Sequence, residues 1–562
     1  MFIHKCKKPD GRMYYQLVEN YREGGKIRRR ILKHLGPVEK LLALDVKSIS
    51  AGNVYIEDVS DVEFGASFVL NEICEKLNLD YTVDKHITKQ AELISIGKVI
   101  RYAAIHKCVR QNGFNDIPNW FESSVLSCVE GISSTVLSKQ NFNSWLDNFD
   151  ADTVDRIQTS LSQTLLRSYN LDLSRVIIDF TNVDTYQKVR EDRQLAKRGK
   201  PKSGKKSVLQ INYALICSND GIPLHHAIYD GNINDSEYFK KFSKNVLRKY
   251  DSFFKQKKHL VIVFDRGMNS KEAILWIASN YDFVGALKLI ECEEVCKDIT
   301  QYKLIKKDDQ GYEVRVYEFK KNKFGKEFRG IASYHEKTAK LIEHQYDDKI
   351  SKVRKELNQI HQKLNKPHWT NKDKVEKRII KCLKKYSLKG LFDISLDIKQ
   401  GKLLFKNCEL KKESYTKLKQ IWGISYIFTN TKKASAEEII DIYFREKNVI
   451  EDCNKMLKQI DFCRIDPVRC WIDEHIRAHF LRCTIALTIG TLLANKVNKK
   501  LKTKHTPATI IDKLKRLNIT TATIKPFNKK DIALSNYNTE SKSIYDSLNL
   551  KQSFNQLKNK IR

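Results

Sequence analysis

The chain has 562 residues, 41% of them hydrophobic, so it is long enough for several folded domains and is not a disordered polymer. Its 102 Lys and Arg residues outnumber 68 Asp and Glu residues, and the resulting formal charge of +34 suits a polyanionic partner such as nucleic acid. The 13 cysteines are scattered and form no Cys-x2-Cys pair, which argues against a disulfide framework and a zinc site and favours a reducing cytoplasm.

Residues 1–60 are predicted to form a small β-rich, basic amino-terminal unit, because short alternating segments run through them. The basic cluster from Lys26 to Arg30 follows a Gly-Gly pair and either contacts phosphates or forms a solvated hairpin tip. Residues 61–170 have the periodicity of helices and are predicted to be a helical, candidate DNA-binding domain. Four cationic side chains there either line a DNA-facing helix or pack inside the protein: Arg101, His106, Lys107 and Arg110.

Two apolar, β-branched runs further along the chain each lead into an aspartate. The first run ends on Asp179 and the second on Asp265, so both carboxylates are expected where a strand leaves a sheet. Either aspartate alone would be better explained as a turn residue. Between the two runs, residues 208–229 are predicted to form a β-hairpin around the turn at 218–221. A basic loop precedes the hairpin, and its glycines and lysines suit contacts with a phosphate backbone.

A long helix is predicted over residues 434–460, and one of its faces is charged. Phe444, Lys447, Glu451 and Lys458 follow one another at offsets that helical geometry places on one side. For an arbitrary helix, a solvated face with salt bridges would be the simpler explanation. The two aspartates upstream make a second interpretation possible, in which the glutamate joins them in an acidic triad.

The stretch between Asp265 and Glu451 is far longer than one strand and one helix require, so an insertion domain is predicted over residues 296–420. It contains an alternating strand at 312–319 and a lysine-rich helix, whose lysines either are solvated or contact DNA. The remaining chain divides into residues 421–500, which carry the glutamate helix, and a basic carboxyl-terminal tail, 501–562.

No segment is predicted to direct export or to span a membrane. The amino terminus lacks the apolar region of a signal peptide. The longest apolar run, Cys483 to Ala494, is too short for a bilayer and is predicted to be a buried core helix.

The charged face resembles the Tyr-x2-Arg-x3-Glu-x6-Lys signature of DDE transposases encoded by one large group of bacterial insertion sequences. Further stretches resemble that group in the expected order: Asp179-Phe-Thr-Asn182, Gly221-Ile-Pro-Leu224, Gly231-Asn-Ile-Asn-Asp235, Asp265-Arg-Gly-Met-Asn269, and the segment from Asp466 to His479. The resemblance extends roughly from residue 171 to residue 500 and includes the basic amino terminus.

The resemblance implies a multidomain α+β protein. An RNase H-like α/β catalytic core would comprise residues 171–295 and 421–500, interrupted by the insertion domain and preceded by the helical amino-terminal domain. The implied activity is that of a transposase, which binds the terminal inverted repeats of its element and a target DNA. The resemblance further implies a homodimer in the DNA complex, a bacterial cytoplasmic location and no membrane partner.

The implied catalytic and metal-binding residues are Asp179, Asp265 and Glu451. Such an oxygen-only ligand set suits Mg²⁺ or Mn²⁺, and two ions per active site clamp the attacking and leaving oxygens of an in-line displacement. Asp179 is expected to bridge both ions, and Asp265 and Glu451 to hold one each. A water would cut the element end, and the freed 3′-hydroxyl would attack the target. Contacts with DNA are expected from Phe444, Lys447, Lys458, Arg266, Lys205, Lys206 and, by stacking on an unpaired base, Trp369.

Two signature positions depart from the family pattern. Phe444 lacks the tyrosine hydroxyl, and Lys447 lacks the bidentate fork of arginine. Tyr443 lies one residue too early and about 100° away round the helix. Two alternatives therefore stay open: a metal-dependent nuclease of the same fold without strand transfer, and a catalytically inactive DNA-binding protein derived from a transposase.

Overall fold

The computed structural model describes residues 2–7, 13–23, 26–37, 55–88, 94–190, 193–199, 204, 208–254, 260–292, 295, 298–458, 462–525, 529–535 and 539–561. The chain divides into two compact units. The first unit comprises residues 1–234, 245–258 and 448–562, and the second comprises 235–244 and 259–447.

The elements of the amino-terminal third are β1 (Phe2–Lys7), β2 (Met13–Glu23), β3 (Lys26–Pro37), β4 (Tyr55–Glu63), α1 (Gly65–Lys76), α2 (Leu79–Asp84), α3 (Ile96–Arg110), α4 (Ile117–Glu122), α5 (Val125–Glu130), α6 (Lys139–Leu146) and α7 (Ala151–Ser168). They are followed by β5 (Arg175–Thr185), β6 (Leu209–Ser218), β7 (Pro223–Asp230), α8 (Asp235–Lys249), α9 (Asp251–Phe254), β8 (Val261–Phe264), α10 (Lys271–Asn280) and β9 (Asp282–Ala286).

The middle of the chain forms β10 (Lys303–Lys307), β11 (Glu313–Lys323), β12 (Lys326–His335), α11 (Glu336–Lys363), α12 (Lys372–Lys385), β13 (Phe392–Lys399), β14 (Lys402–Leu410), α13 (Lys412–Lys419) and β15 (Ile424–Thr429). The last elements are α14 (Ala436–Met456), α15 (Asp473–Leu501), α16 (Pro507–Lys515), β16 (Asn518–Lys525), β17 (Lys529–Ser535), α17 (Thr539–Ser547) and α18 (Leu550–Ile561).

Among its described residues, the first unit contains three groups of antiparallel strands. β1, β2 and β3 form one sheet within the residues predicted to be the β-rich amino-terminal unit. β16 pairs with both β17 and β4, so strands from the two ends of the chain share a sheet. β5, β6 and β7 form a meander, which confirms the predicted hairpin between β6 and β7. Helices α1 to α7 lie within residues 61–170.

Helix α15 is the core helix of the first unit. The Tyr213 hydroxyl of β6 lies 3.0 Å from the Thr484 hydroxyl, and the Cys108 thiol of α3 donates to the Ala486 carbonyl at 3.3 Å. Among the described residues, α15 alone is long and apolar enough to cross a membrane, but 94% of its most apolar window is buried inside the protein. The prediction of a buried core helix around Cys483 to Ala494 is therefore confirmed.

Three of the four cationic side chains singled out on α3 lie in the protein interior. Arg101, His106 and Lys107 are 3%, 0% and 5% exposed, whereas Arg110 is exposed. The guanidinium of Arg101 donates to the Asn71 amide oxygen at 2.6 Å and to Glu130 at 2.9 Å. These contacts favour packing over a DNA-facing role for the three buried residues.

In the second unit, six strands lie in the order β10, β11, β12, β15, β9, β8. The pair β8 and β9 is parallel and is joined through α10, while the other neighbours are antiparallel. Residues 312–319, which the sequence assigns to the insertion, overlap β11 and thus lie in the same sheet as β15. The antiparallel meander of the first unit and this β-α-β segment agree with the strand types expected of an RNase H-like core.

The segment from Glu336 to Gly423 has a hydrophobic core of its own. Helices α11 and α12 pack with the hairpin β13–β14 around apolar side chains that include Val353, Leu357, Val375, Ile379, Leu396 and Leu403. The two ends of the segment meet at neighbouring strands, because His335 donates its backbone N–H to the Gly423 carbonyl at 2.9 Å. This segment is therefore the connection between the neighbouring strands β12 and β15.

Candidate functional site

Asp179 lies in the middle of β5, with its carboxylate in contact with helix α14. Asn454 of α14 donates its Nδ2–H to Asp179 Oδ2 at 2.7 Å. Two residues further along β5, on the same face of the strand, the Thr181 hydroxyl accepts a hydrogen bond from the Lys458 ammonium just beyond α14. These two contacts hold the end of α14 alongside the strand that carries the candidate aspartate.

Glu451 shares the face of α14 that contacts β5. It precedes Asn454 by three residues and Lys458 by seven, and residues at these spacings are neighbours on a helix surface. Its side chain is half-buried. In the first unit, the strand that carries Asp179 thus contacts the helix face that carries Glu451. The acidic-triad interpretation requires this contact.

The opposite side of α14 explains the glycine of the β6–β7 turn. Cys453 is 1% exposed and its thiol donates to the Gly221 carbonyl at 3.3 Å. Gly221 has a φ of +71°, and a Cβ at this position would lie 3.3 Å from the Val449 side chain. The turn therefore needs glycine for its backbone conformation, and a side chain here would also crowd Val449.

In the second unit, Asp265 directly follows β8, as predicted for an aspartate at a strand end. Its Oδ1 accepts a hydrogen bond from the Tyr443 hydroxyl at 3.0 Å. Asn269, four residues further on, donates to the Ala286 carbonyl of β9 at 3.0 Å and so ties the Asp265 loop to the sheet. Tyr443 is 5% exposed, so its hydroxyl is directed inward at this carboxylate.

The prediction that Asp179 also stands where a strand ends is wrong. The apolar run stops at Phe180, but β5 continues with polar residues to Thr185. Buried amides stabilise this polar continuation: Asn182 donates to Gln210 at 3.1 Å, and Gln210 donates to the Gly231 carbonyl at 2.6 Å. Hydrophobic pattern alone could not show that the strand continues, because these side chains are satisfied by hydrogen bonds instead of by apolar contacts.

The remaining predicted site residues have varied surroundings. Phe444 is 36% exposed and Arg266 is exposed, whereas Lys447 is half-buried. Trp369 packs against the core of the Glu336–Gly423 segment, and the Arg378 guanidinium lies 3.9 Å from its ring centroid. That contact covers one face of the indole, so base stacking by Trp369 stays a prediction without support from its surroundings. Lys205 and Lys206 lie outside the described residues.

Two residues in contact with the candidate aspartates were missed by the sequence reasoning. The sequence places Tyr443 off the charged face of the helix and outside the family signature, yet its hydroxyl contacts Asp265. Asn454 was not considered, although its spacing of three from Glu451 and four from Lys458 places it on the charged face. That spacing was the signal available for Asn454, whereas nothing in the sequence indicated the Tyr443 contact.

The donor atoms around Asp179 suit a hard divalent cation. Asp179 carries carboxylate oxygens on β5, and Glu451 carries them on the helix that contacts this strand. Carboxylate and amide oxygens are ligands that Mg²⁺ and Mn²⁺ accept. Within the described part of the chain, however, no three His, Cys, Asp or Glu side chains are already grouped as a metal site.

Two protein-family models match the chain. A transposase DDE domain model matches residues 170–489, more than half of the chain, and this range includes all three candidate carboxylates. A model of the amino-terminal domain of IS1634 family transposases matches residues 3–53. A search of curated proteins found no match. The two ranges agree with the resemblance inferred from the motifs and with the basic amino-terminal unit.

Proposed function

Because the chain belongs to the DDE transposases of insertion sequences, we propose that it binds the ends of its own element and catalyses DNA cleavage and strand transfer, with Asp179, Asp265 and Glu451 as the catalytic carboxylates. It would act in the bacterial cytoplasm on DNA, as a homodimer that pairs two element ends. The formal charge of +34 supports a DNA partner.

The contact between α14 and β5 carries this proposal. Asn454 and Lys458 of the helix segment hold the Asp179 region of the strand, and Glu451 lies on the same helix face. Carboxylate oxygens on a strand and on the helix that packs against it are the kind of ligands that a hard divalent cation takes. This arrangement supports a cation-dependent site.

Asp179, Asp265 and Glu451 would hold the divalent ions, Mg²⁺ or Mn²⁺, two per active site. Bound ions would supply Lewis-acid activation of water and neutralisation of the developing phosphate charge. Water then attacks the phosphorus at the element end, and the P–O3′ bond breaks to leave a 3′-hydroxyl. In the second step that hydroxyl attacks a phosphorus of the target DNA, and the target's own P–O3′ bond breaks.

Cationic side chains beside the carboxylates would position the DNA. Lys458, which contacts Thr181 two residues from Asp179, would hold a phosphate near the cut. Lys447 and Arg266 would contribute further phosphate contacts, and the exposed ring of Phe444 would pack against the sugar or base. Lys205 and Lys206 of the basic loop are proposed as backbone contacts.

A strand-transfer assay tests the proposal. The full-length protein is incubated with Mg²⁺, a target plasmid and linear DNA that ends in the inverted repeats flanking its reading frame. We expect cut ends with 3′-hydroxyls and covalent joints to the plasmid, and loss of both products with EDTA. Cleavage without joints would instead indicate a nuclease, and binding without cleavage would indicate an inactive DNA-binding protein; either result would overturn the proposal.

Removing the Tyr443 hydroxyl should impair cleavage without unfolding the protein. Tyr443→Phe deletes the 3.0 Å hydrogen bond to Asp265 but keeps the buried ring, so we expect cleavage to fall by about tenfold, as is usual for groups that orient a metal-binding carboxylate. Cleavage rates at the element end and the melting temperature measure the two effects.

The matched control for this variant is Tyr415→Phe. Tyr415 also donates to an aspartate, Asp347, at 3.0 Å, but it lies in the Glu336–Gly423 segment. This control should cleave as the unmodified protein does. Equal cleavage by Tyr443→Phe and the control would show that the Tyr443 hydroxyl plays no part in the reaction.

A further inference from the structure

Asn454 has a side-chain environment that packing alone does not explain. It is 8% exposed, and its Nδ2 donates to Asp179 Oδ2 at 2.7 Å. Its Oδ1 is buried and has no hydrogen-bond partner among the described residues. A buried amide oxygen without a hydrogen-bond partner is destabilising, so an apolar residue of similar size would be more stable here if the position served only to fill space.

The orientation of the amide follows from the chemistry of its neighbour. An ionised carboxylate only accepts hydrogen bonds, so the NH₂ group must face Asp179 and the oxygen must face away from it. Hydrogen bonds to an ionised acceptor are about twice as strong as neutral ones, which is enough to favour one rotamer of an aspartate on a strand. The Lys458 contact with Thr181, four residues further along the chain, is a second link between the end of α14 and β5.

We propose that Asn454 is a positioning residue of the catalytic site, which holds Asp179 in the orientation that binds a divalent cation. The inference rests on the proposed function, since it assumes that Asp179 is a metal ligand. Because Asn454 lies between Glu451 and Lys458 along the chain, α14 and the turn that follows it would then supply a ligand, the support for a second ligand and a DNA contact within eight residues. The unpaired Oδ1 would remain as a buried acceptor for water that enters with the cation.

The experiment measures Mn²⁺ binding to the full-length protein by electron paramagnetic resonance, alongside cleavage as a function of Mn²⁺ concentration. The variants are Asn454→Ala and Asn454→Leu, and the control is Asn448→Ala, which changes an exposed asparagine of the same helix. Leucine preserves the size of the side chain without its donor. We expect both Asn454 variants to bind Mn²⁺ about tenfold more weakly, with unchanged affinity for DNA, and the control to match the unmodified protein.

The outcomes separate a positioning role from packing and from failure of the proposed function. If Asn454→Leu bound Mn²⁺ normally and only Asn454→Ala were impaired, the residue would merely fill space and the inference would be overturned. Normal Mn²⁺ binding by both variants, with Asp179→Ala inactive in cleavage, would also overturn it while leaving the proposed function intact. Cleavage by Asp179→Ala at the normal rate would instead contradict the assignment of Asp179 itself.

Discussion

Replacing Asp179, Asp265 or Glu451 by alanine should lower the rate of cleavage at the element end by at least about 10³-fold, because each change removes a carboxylate that the reaction requires. DNA affinity should remain close to normal, because phosphate contacts come from the basic surface. Gel-based cleavage assays with Mg²⁺ and mobility-shift assays with Ca²⁺ or without metal measure the two quantities separately.

Asp452→Ala is the matched control for these three variants. Asp452 is the exposed neighbour of Glu451 on α14 and forms a surface ion pair with Lys455 at 3.0 Å. Its removal takes away one negative charge from the same helix without touching the proposed site, so cleavage should persist. Full activity in any one of the three site variants would show that this residue is not catalytic. Full activity in all three would refute the proposed catalytic site.

The largest effect on stability is expected at Arg101. Its guanidinium is 3% exposed and pairs with Glu130, which is 9% exposed, at 2.9 Å. Arg101→Met takes the guanidinium away from Glu130 and from Asp80, which lies 3.0 Å from Arg101 Nε, and leaves Glu130 with Lys98 at 2.9 Å. Breaking one side of a buried ion pair typically destabilises a protein by about 3–5 kcal/mol. Urea-induced unfolding, followed by circular dichroism at pH 7, measures the loss.

The pH dependence of that loss has a definite sign. Burial alone would raise the pKa of Glu130, but the charges of Arg101 and Lys98 outweigh it and hold the pKa below its ordinary value of 4.5. The unmodified protein therefore has this stabilisation above pH 4.5 and loses it as the pH falls through the lowered pKa. The difference in stability between Arg101→Met and the unmodified protein should shrink below pH 4.5.

Arg110→Met provides the comparison on the same helix. Arg110 is 38% exposed and lies 3.7 Å from Asp116, so its loss should cost less than about 1 kcal/mol. If Arg101 instead contacted DNA, Arg101→Met would remain as stable as the Arg110 variant and would lose DNA affinity.

The sequence predicted those features of the fold that depend on local pattern. The apolar runs before Asp179 and Asp265 became strands, the Ser-Asn-Asp-Gly turn closed a hairpin, and the helix of Glu451 formed with Cys453 on its buried side. Periodicity and turn chemistry suffice to predict such features, because each feature depends on residues that are close together along the chain.

Features that depend on distant partners could not be predicted in the same way. The polar end of β5 is held by amide hydrogen bonds to β6, and the buried state of Arg101 depends on Asn71 and Glu130. The membership of β11 in a sheet with β15 is likewise a matter of tertiary pairing. For the site, the charged helix face identified Glu451 and Lys458, but the contacts of Tyr443 and Asn454 required the three-dimensional arrangement.

The attachment of the Glu336–Gly423 segment has a consequence for how such a chain can change over evolution. Tyr334 and Ile424 are direct partners across the antiparallel β12–β15 pair, so a tight hairpin could replace everything between them without altering strand register. An inserted segment whose two ends join adjacent, paired strands leaves the geometry of the sheet unchanged. We therefore expect the sheet to tolerate the gain, loss or exchange of this segment, because the strand pairing on either side of it stays the same.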